Sequence, residues 1–66
     1  MDILLNGEAR QIGPGTTVLG LLEALGYVGK RVAVEKNGEI VPKSQHADAI
    51  LKQNDKLEIV VAVGGG

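Results

Sequence analysis

The chain has 66 residues, seven basic and eight acidic, with a formal net charge of −1 and no cysteine. A domain this short buries only about 60% of its unfolded surface, so it holds one small core and no deep substrate cleft, which argues against a self-sufficient enzyme. Missing cysteines exclude disulfides and thiolate metal sites and fit a reducing cytoplasm; balanced charge and a single aromatic, Tyr27, argue against a nucleic-acid partner.

The first predicted element is Ile3-Leu4-Leu5, followed by Asn6-Gly7 and then Glu8-Ala9-Arg10-Gln11-Ile12. Asn-Gly between two short β-compatible runs signals a hairpin, because a type I′ turn needs positive φ at both central residues. Gly13-Pro14-Gly15 breaks the second strand. Val18, Leu21, Leu22 and Leu25 then recur at i, i+3, i+4 and i+7, one apolar stripe of a helix. Thr17 is its expected N-cap and Gly26 its left-handed terminator. Gly20, inside the helix, costs about 1 kcal/mol relative to Ala and reads as close packing or as plain imperfection.

Arg31 to Lys36 alternates as a strand, Asn37-Gly38 forms a second hairpin turn, and Glu39-Ile40-Val41 returns until Pro42 closes it. Residues 43–55 are polar and irregular, except that Leu51 is expected to plug the underside of the core. Lys56 to Val63 is the last and most hydrophobic strand; its apolar run, Ile59 to Val63, is far too short to span a bilayer, and no signal peptide is expected. No membrane partner is therefore expected. The chain ends in Gly64-Gly65-Gly66. Glycines there serve no turn, so they read as a thin, flexible tail on a single domain of residues 1–63, able to thread into a partner's active site and carrying a free carboxylate at Gly66.

Strand, strand, helix and three further strands define an α+β fold. One helix covers one face of a mixed four- to five-stranded sheet and leaves the other wet, with the last strand in the centre beside the first. This is the ubiquitin-like β-grasp arrangement. Alternation directs Met1, Ile3, Leu5, Leu57, Ile59, Val61, Val32 and Val34 toward the helix. The wet face then carries Leu4, Val60 and Ala62, with Ala33 beside them, ringed by Arg31, Glu35, Lys56 and Glu58. Single exposed apolar residues are ordinary, but several on adjacent strands next to the tail mark a docking patch.

No catalytic constellation is present. His46 is alone in a polar loop with no second histidine or cysteine, which predicts a solvated side chain and no metal. Ser44 lacks a nucleophile-elbow pattern, Gly13-Pro14-Gly15 lacks the spacing and lysine of a P-loop, and Glu35, Glu39, Asp48, Asp55 and Glu58 read as scattered, solvated charges. Any chemistry falls to the terminal carboxylate. A carboxylate becomes an electrophile when ATP adenylates it, and glycine leaves the carbonyl unobstructed.

The opening Ile3-Leu4-Leu5-Asn6-Gly7-Glu8, the segment Val32 to Pro42 (VAVEKNGEIVP) and the close Asp55 to Val60 followed by Ala62-Val63-Gly64-Gly65-Gly66 together resemble the thiamin-pathway sulfur carriers, the ThiS family. The resemblance covers essentially the whole chain. It implies a protein co-substrate rather than an enzyme, with no cofactor of its own and monomeric when free. A ubiquitin-activating-type adenylyltransferase would adenylate Gly66 with ATP and magnesium, and Gly64 and Gly65 would thread into its site. Sulfur from a persulfide protein such as a cysteine desulfurase would convert the carboxylate to a thiocarboxylate, and thiazole synthase would consume it, all in the cytoplasm. Two positions depart from the family pattern: Gly20, where relatives often carry an acidic residue, and Asn54, where glycine commonly precedes Asp55. The competing expectations are a molybdopterin-synthase sulfur carrier, a ubiquitin-like protein modifier and a non-catalytic β-grasp interaction module. Val61-Ala62-Val63-Gly64 fits the thiazole branch better than the molybdopterin one.

Overall fold

The structure, a computed structural model, describes residues 1–62. Strands β1 (Asp2–Leu5) and β2 (Glu8–Gln11) precede helix α1 (Val18–Ala24); β3 (Val32–Lys36) and β4 (Glu39–Ile40) follow, then a 3₁₀ turn (Lys43–Gln45) and β5 (Lys56–Val61). The sheet order is β2-β1-β5-β3-β4. β5 runs parallel to β1 and antiparallel to β3, so the last strand is the central one. This is the β-grasp arrangement expected from the order of elements.

Both hairpins turn on the expected Asn-Gly pairs, with φ of +50° and +82° at Asn6 and Gly7 and +53° and +86° at Asn37 and Gly38. The mirrored turn matches the right-handed twist of the strands it joins. Thr17 caps α1, its hydroxyl accepting from the Gly20 N–H at 3.0 Å. At the other end, Gly26 (φ +77°) donates to the Glu23 carbonyl and Tyr27 to the Leu22 carbonyl, the paired bonds of a Schellman ending. A Cβ at Gly20 would sit 3.4 Å from Thr17 Oγ1 and 3.7 Å from Thr16 Cγ2, ordinary contacts, so no close packing demands glycine there.

Ile3, Val18, Leu21, Leu22, Val34, Val41, Leu51, Leu57 and Ile59 form the core. It lies between α1 and one face of β1, β5 and β3, with Leu51 sealing it from below as expected. Leu25, Val32, Leu5 and Met1 pack around it half-buried.

The segment read as irregular is organised by the helix. The N–H groups of Val18 and Leu19, which have no partner within the helix, donate to the carbonyls of Ala49 and His46 at 2.9 Å each. Leu51 N–H donates to Thr16 O, and Ile50 bridges Thr17. Two expectations fail here. His46 is buried, not solvated, and its Nε2 lies 3.1 Å from the Val41 carbonyl; because that carbonyl can only accept, Nε2 carries the proton. Asp55 is buried as well, its carboxylate accepting from Asn37 Nδ2 at 3.0 Å and from the Lys52 N–H at 2.8 Å. Sequence shows neither, because the His46 loop is docked on the helix through the Leu19 N–H and Asp55 is bonded by Asn37 of the second hairpin, contacts that only the folded chain brings together.

Burial of Asp55 works against its charge, but the bonds from Asn37 and Lys52, helped by the positive charges of Lys36 and Lys52, outweigh it and hold the carboxyl below its usual range. A carboxyl depressed on folding stabilises the fold while ionised. Its contribution is complete above about pH 4, the unfolded value, and is lost as pH falls through the lower folded value. Asp55→Asn leaves one oxygen for two donors. It is expected to cost about 2 kcal/mol in urea unfolding at pH 7, and the gap to the wild type should narrow at pH 3.

Candidate functional site

The last strand before the C-terminal glycines is β5, which is held on both sides. Toward β3, Asn37 N–H donates to the Lys56 carbonyl at 2.8 Å and Ala62 N–H to the Arg31 carbonyl at 2.8 Å, one at each end of the ladder. Toward β1, Leu4 and Asn6 donate from their main-chain N–H groups to the carbonyls of Asp55 and Leu57. Both turn asparagines add side-chain bonds. Asn37 Oδ1 accepts from Lys56 N–H at 2.9 Å, while Asn6 Oδ1 accepts from Ile59 N–H at 2.8 Å and Asn6 Nδ2 donates to the Ile59 carbonyl at 3.2 Å. Sequence reasoning assigned these asparagines to the turns alone. Nothing local signals their second role, which depends on where β5 lies.

The open face of the sheet carries the expected docking residues, and the register says which of them meet. Val60, 64% exposed, lies directly opposite Ala33, and Ala62 is exposed two residues on, beside Arg31. These three form one small apolar surface where β5 leaves the sheet. Leu4 is exposed on the same face but pairs with Lys56, four residues before Val60, or about 13 Å along the strand. Glu58 and Glu35, directly opposite one another, occupy the row before Val60 and Ala33. Leu4 is therefore a separate apolar point rather than a member of the Val60 cluster.

A further apolar residue belongs to this face. Ile40 is 74% exposed and lies opposite Glu35 in the β3–β4 ladder. The two-residue turn at Asn37-Gly38 already implies that register, so the pattern of alternation could have found it. Lys56 and Glu58 stand out of the same face, and the rim is mixed in charge, as expected.

Gly64, Gly65 and Gly66, the expected threading and cargo residues, lie outside the described residues, as does Val63. Among the described residues no cluster of three or more His, Asp or Glu side chains could hold a metal ion, and no helix is long and apolar enough to cross a membrane. The hollow beside His46, about 280 Å³, is lined mainly by Leu19, Leu22, Tyr27 and Val32 and has no carboxylate in its wall.

Comparison with known proteins gives a consistent result. The model of the ThiS family matches residues 3–66. The sulfur carrier protein ThiS of Escherichia coli (strain K12) is 36% identical over 66 residues, the full length of both chains. A thiazole synthase of Paramagnetospirillum magneticum is 48% identical over the same 66 residues, and these make up 20% of that protein. The chain thus spans about a fifth of the length of the thiazole synthases it matches. The crystal structure of a thiamine biosynthesis protein (ThiS) from Geobacter metallireducens superposes with a TM-score of 0.84 at 29% identity, covering all of both chains.

Proposed function

The chain belongs to the ThiS family, and on that footing we propose that it is a sulfur carrier for assembly of the thiazole of thiamin, a co-substrate that other proteins act upon. The supporting observation is that family similarity runs to Gly66 and that β5, the central strand of the sheet, is the last described element before the C-terminal glycines. A β-grasp body presents its last residues from the middle of the sheet, beside the apolar surface of Val60, Ala33 and Ala62.

The chemistry belongs to the Gly66 carboxylate. Its oxygen attacks the α-phosphorus of ATP, held with magnesium by an adenylating partner of the ubiquitin-activating type, and pyrophosphate leaves. The acyl-adenylate carbonyl is open to a persulfide sulfur because glycine places no Cβ beside it, and AMP departs with the carboxylate oxygen. A thiol then attacks the donor's sulfur of the resulting S–S bond, forming a disulfide with the donor and releasing a thiocarboxylate, a soft nucleophile that a thiazole synthase takes as its sulfur source. Gly64 and Gly65 give the tail the slender cross-section that threading requires. The 48% identity to a segment of a thiazole synthase favours the thiazole branch over the molybdopterin one. The cytoplasm, where persulfide sulfur and ATP coexist, is the compartment this chemistry suits.

Incubation with the adenylating enzyme from the same source, ATP and a cysteine-derived persulfide is the direct test. Intact-mass measurement is expected to show one oxygen of Gly66 replaced by one sulfur. An adduct with lysines of other proteins would instead identify a modifier, and an unchanged mass with an active partner would leave only an interaction module.

A further inference from the structure

The β1–β5 ladder ends in an unusual way, with an amide side chain in place of backbone. Odd-numbered residues of β5 direct their N–H and C=O toward β1, since Asp55 and Leu57 accept from Leu4 and Asn6 there, while Ala62 bonds to Arg31 on the opposite side. In a continuing parallel ladder, Ile59 N–H would donate to the main-chain carbonyl of residue 6. Asn6, at φ +50°, has instead turned its backbone into the hairpin. Its side-chain amide replaces the missing peptide, accepting from Ile59 N–H and donating to Ile59 C=O.

The next position in that ladder is Val61. Its N–H and C=O point to the β1 side, where the chain has already turned away into β2, and no described residue bonds to either. An unpaired donor and acceptor on a strand edge form a template for another strand. The outer edges of the sheet are poorer templates. β2 is short and carries Glu8, Arg10 and Gln11, and β4 has two residues with Pro42 close behind. Val61 lies between the exposed Val60 and Ala62 on the central strand, so its open edge adjoins the apolar surface described above.

Resting on the carrier reading, we propose that an extended backbone segment of the adenylating partner adds to the sheet beside Val61, in line with β1. There it accepts from the Val61 N–H and donates to the Val61 carbonyl. Asn6 sets the starting point of this addition, because its amide fills the Ile59 position and leaves Val61 as the first open one. The partner would thereby grip the chain by main-chain bonds immediately before the tail and fix the tail's direction of entry.

A chain of 66 residues is within reach of chemical synthesis, which allows the Val61 N–H to be removed selectively. Replacing the Val60–Val61 amide by an ester deletes the donor and weakens the Val60 carbonyl as an acceptor, whereas N-methylation of Val61 deletes the donor and also blocks the approach of a strand. Both chains should keep the circular dichroism spectrum of the unmodified synthetic chain. Affinity for the adenylating enzyme should fall about fivefold for the ester and by about 50-fold or more for the N-methyl chain. Binding of the ester chain within twofold of the unmodified one would overturn strand addition while unmodified chain is still adenylated, and that result leaves the carrier reading standing. If the unmodified chain is itself neither bound nor adenylated by an active enzyme, the carrier reading fails and strand addition falls with it.

Discussion

Removal of Gly66 is expected to abolish sulfur transfer and leave the unfolding midpoint unchanged. The shortened chain would still end in a glycine carboxylate, but one residue short, which withdraws the reacting carbonyl by about 3.5 Å. Misplacement by 1 Å alone can cost about 100-fold in a positioned reaction, so both adenylation and thiocarboxylate formation should drop below detection. Stability is spared because, among the described residues, the buried apolar side chains lie between Ile3 and Ile59. The check pairs urea unfolding of the two chains with intact-mass analysis after incubation with partner, ATP and persulfide. Sulfur delivery by the shortened chain at a comparable rate would move the cargo site away from Gly66 and defeat the central proposal.

Val60→Asp is expected to weaken binding to the adenylating partner by about 100-fold or more while the fold persists. Val60 is 64% exposed, so little burial is lost, and the cost to the strand stays within about 1 kcal/mol. At an interface the new carboxylate would face Ala33, next to the row held by Glu58 and Glu35, and no described cation lies directly opposite to pair with it. Leu4→Asp provides the contrast. Leu4 lies about 13 Å along the strand from Val60, opposite Lys56, so its substitution should weaken binding by much less. Equal losses from both variants would mean that the partner covers the whole open face. No loss from Val60→Asp would remove the patch from the docking surface.

Much of the fold is visible in individual residues. Asn6-Gly7 and Asn37-Gly38 place the hairpins because only a few residue types accept positive φ there. Thr17, the Val18-Leu21-Leu22 stripe and Gly26 fix the helix from cap to cap, and the period-two alternation of β1, β3 and β5 separates the buried face from the open one. Asn54, which stands where glycine commonly precedes Asp55, has φ +70°, a left-handed geometry that asparagine tolerates. The candidate site is less visible. Val60, Ala33 and Ala62 adjoin as alternation predicts, but the face assignment that places Leu4 with them holds no information about position along a strand. Only the register, Leu4 opposite Lys56 and Ala33 opposite Val60, separates them.

Neighbouring residues in the chain suffice to specify the turn types, the helix limits, the two faces of each strand and the terminal glycines that no turn requires. Tertiary structure decided what depends on distant partners. It buried His46 against Val41 and Asp55 against Asn37, turned the loop at 46–51 into the cap of the helix, and made two turn asparagines into braces for the central strand. Apart from the His46–Val41 bond, these join groups between 18 and 53 residues apart, and no local pattern encodes a partner that only the closed fold brings within reach.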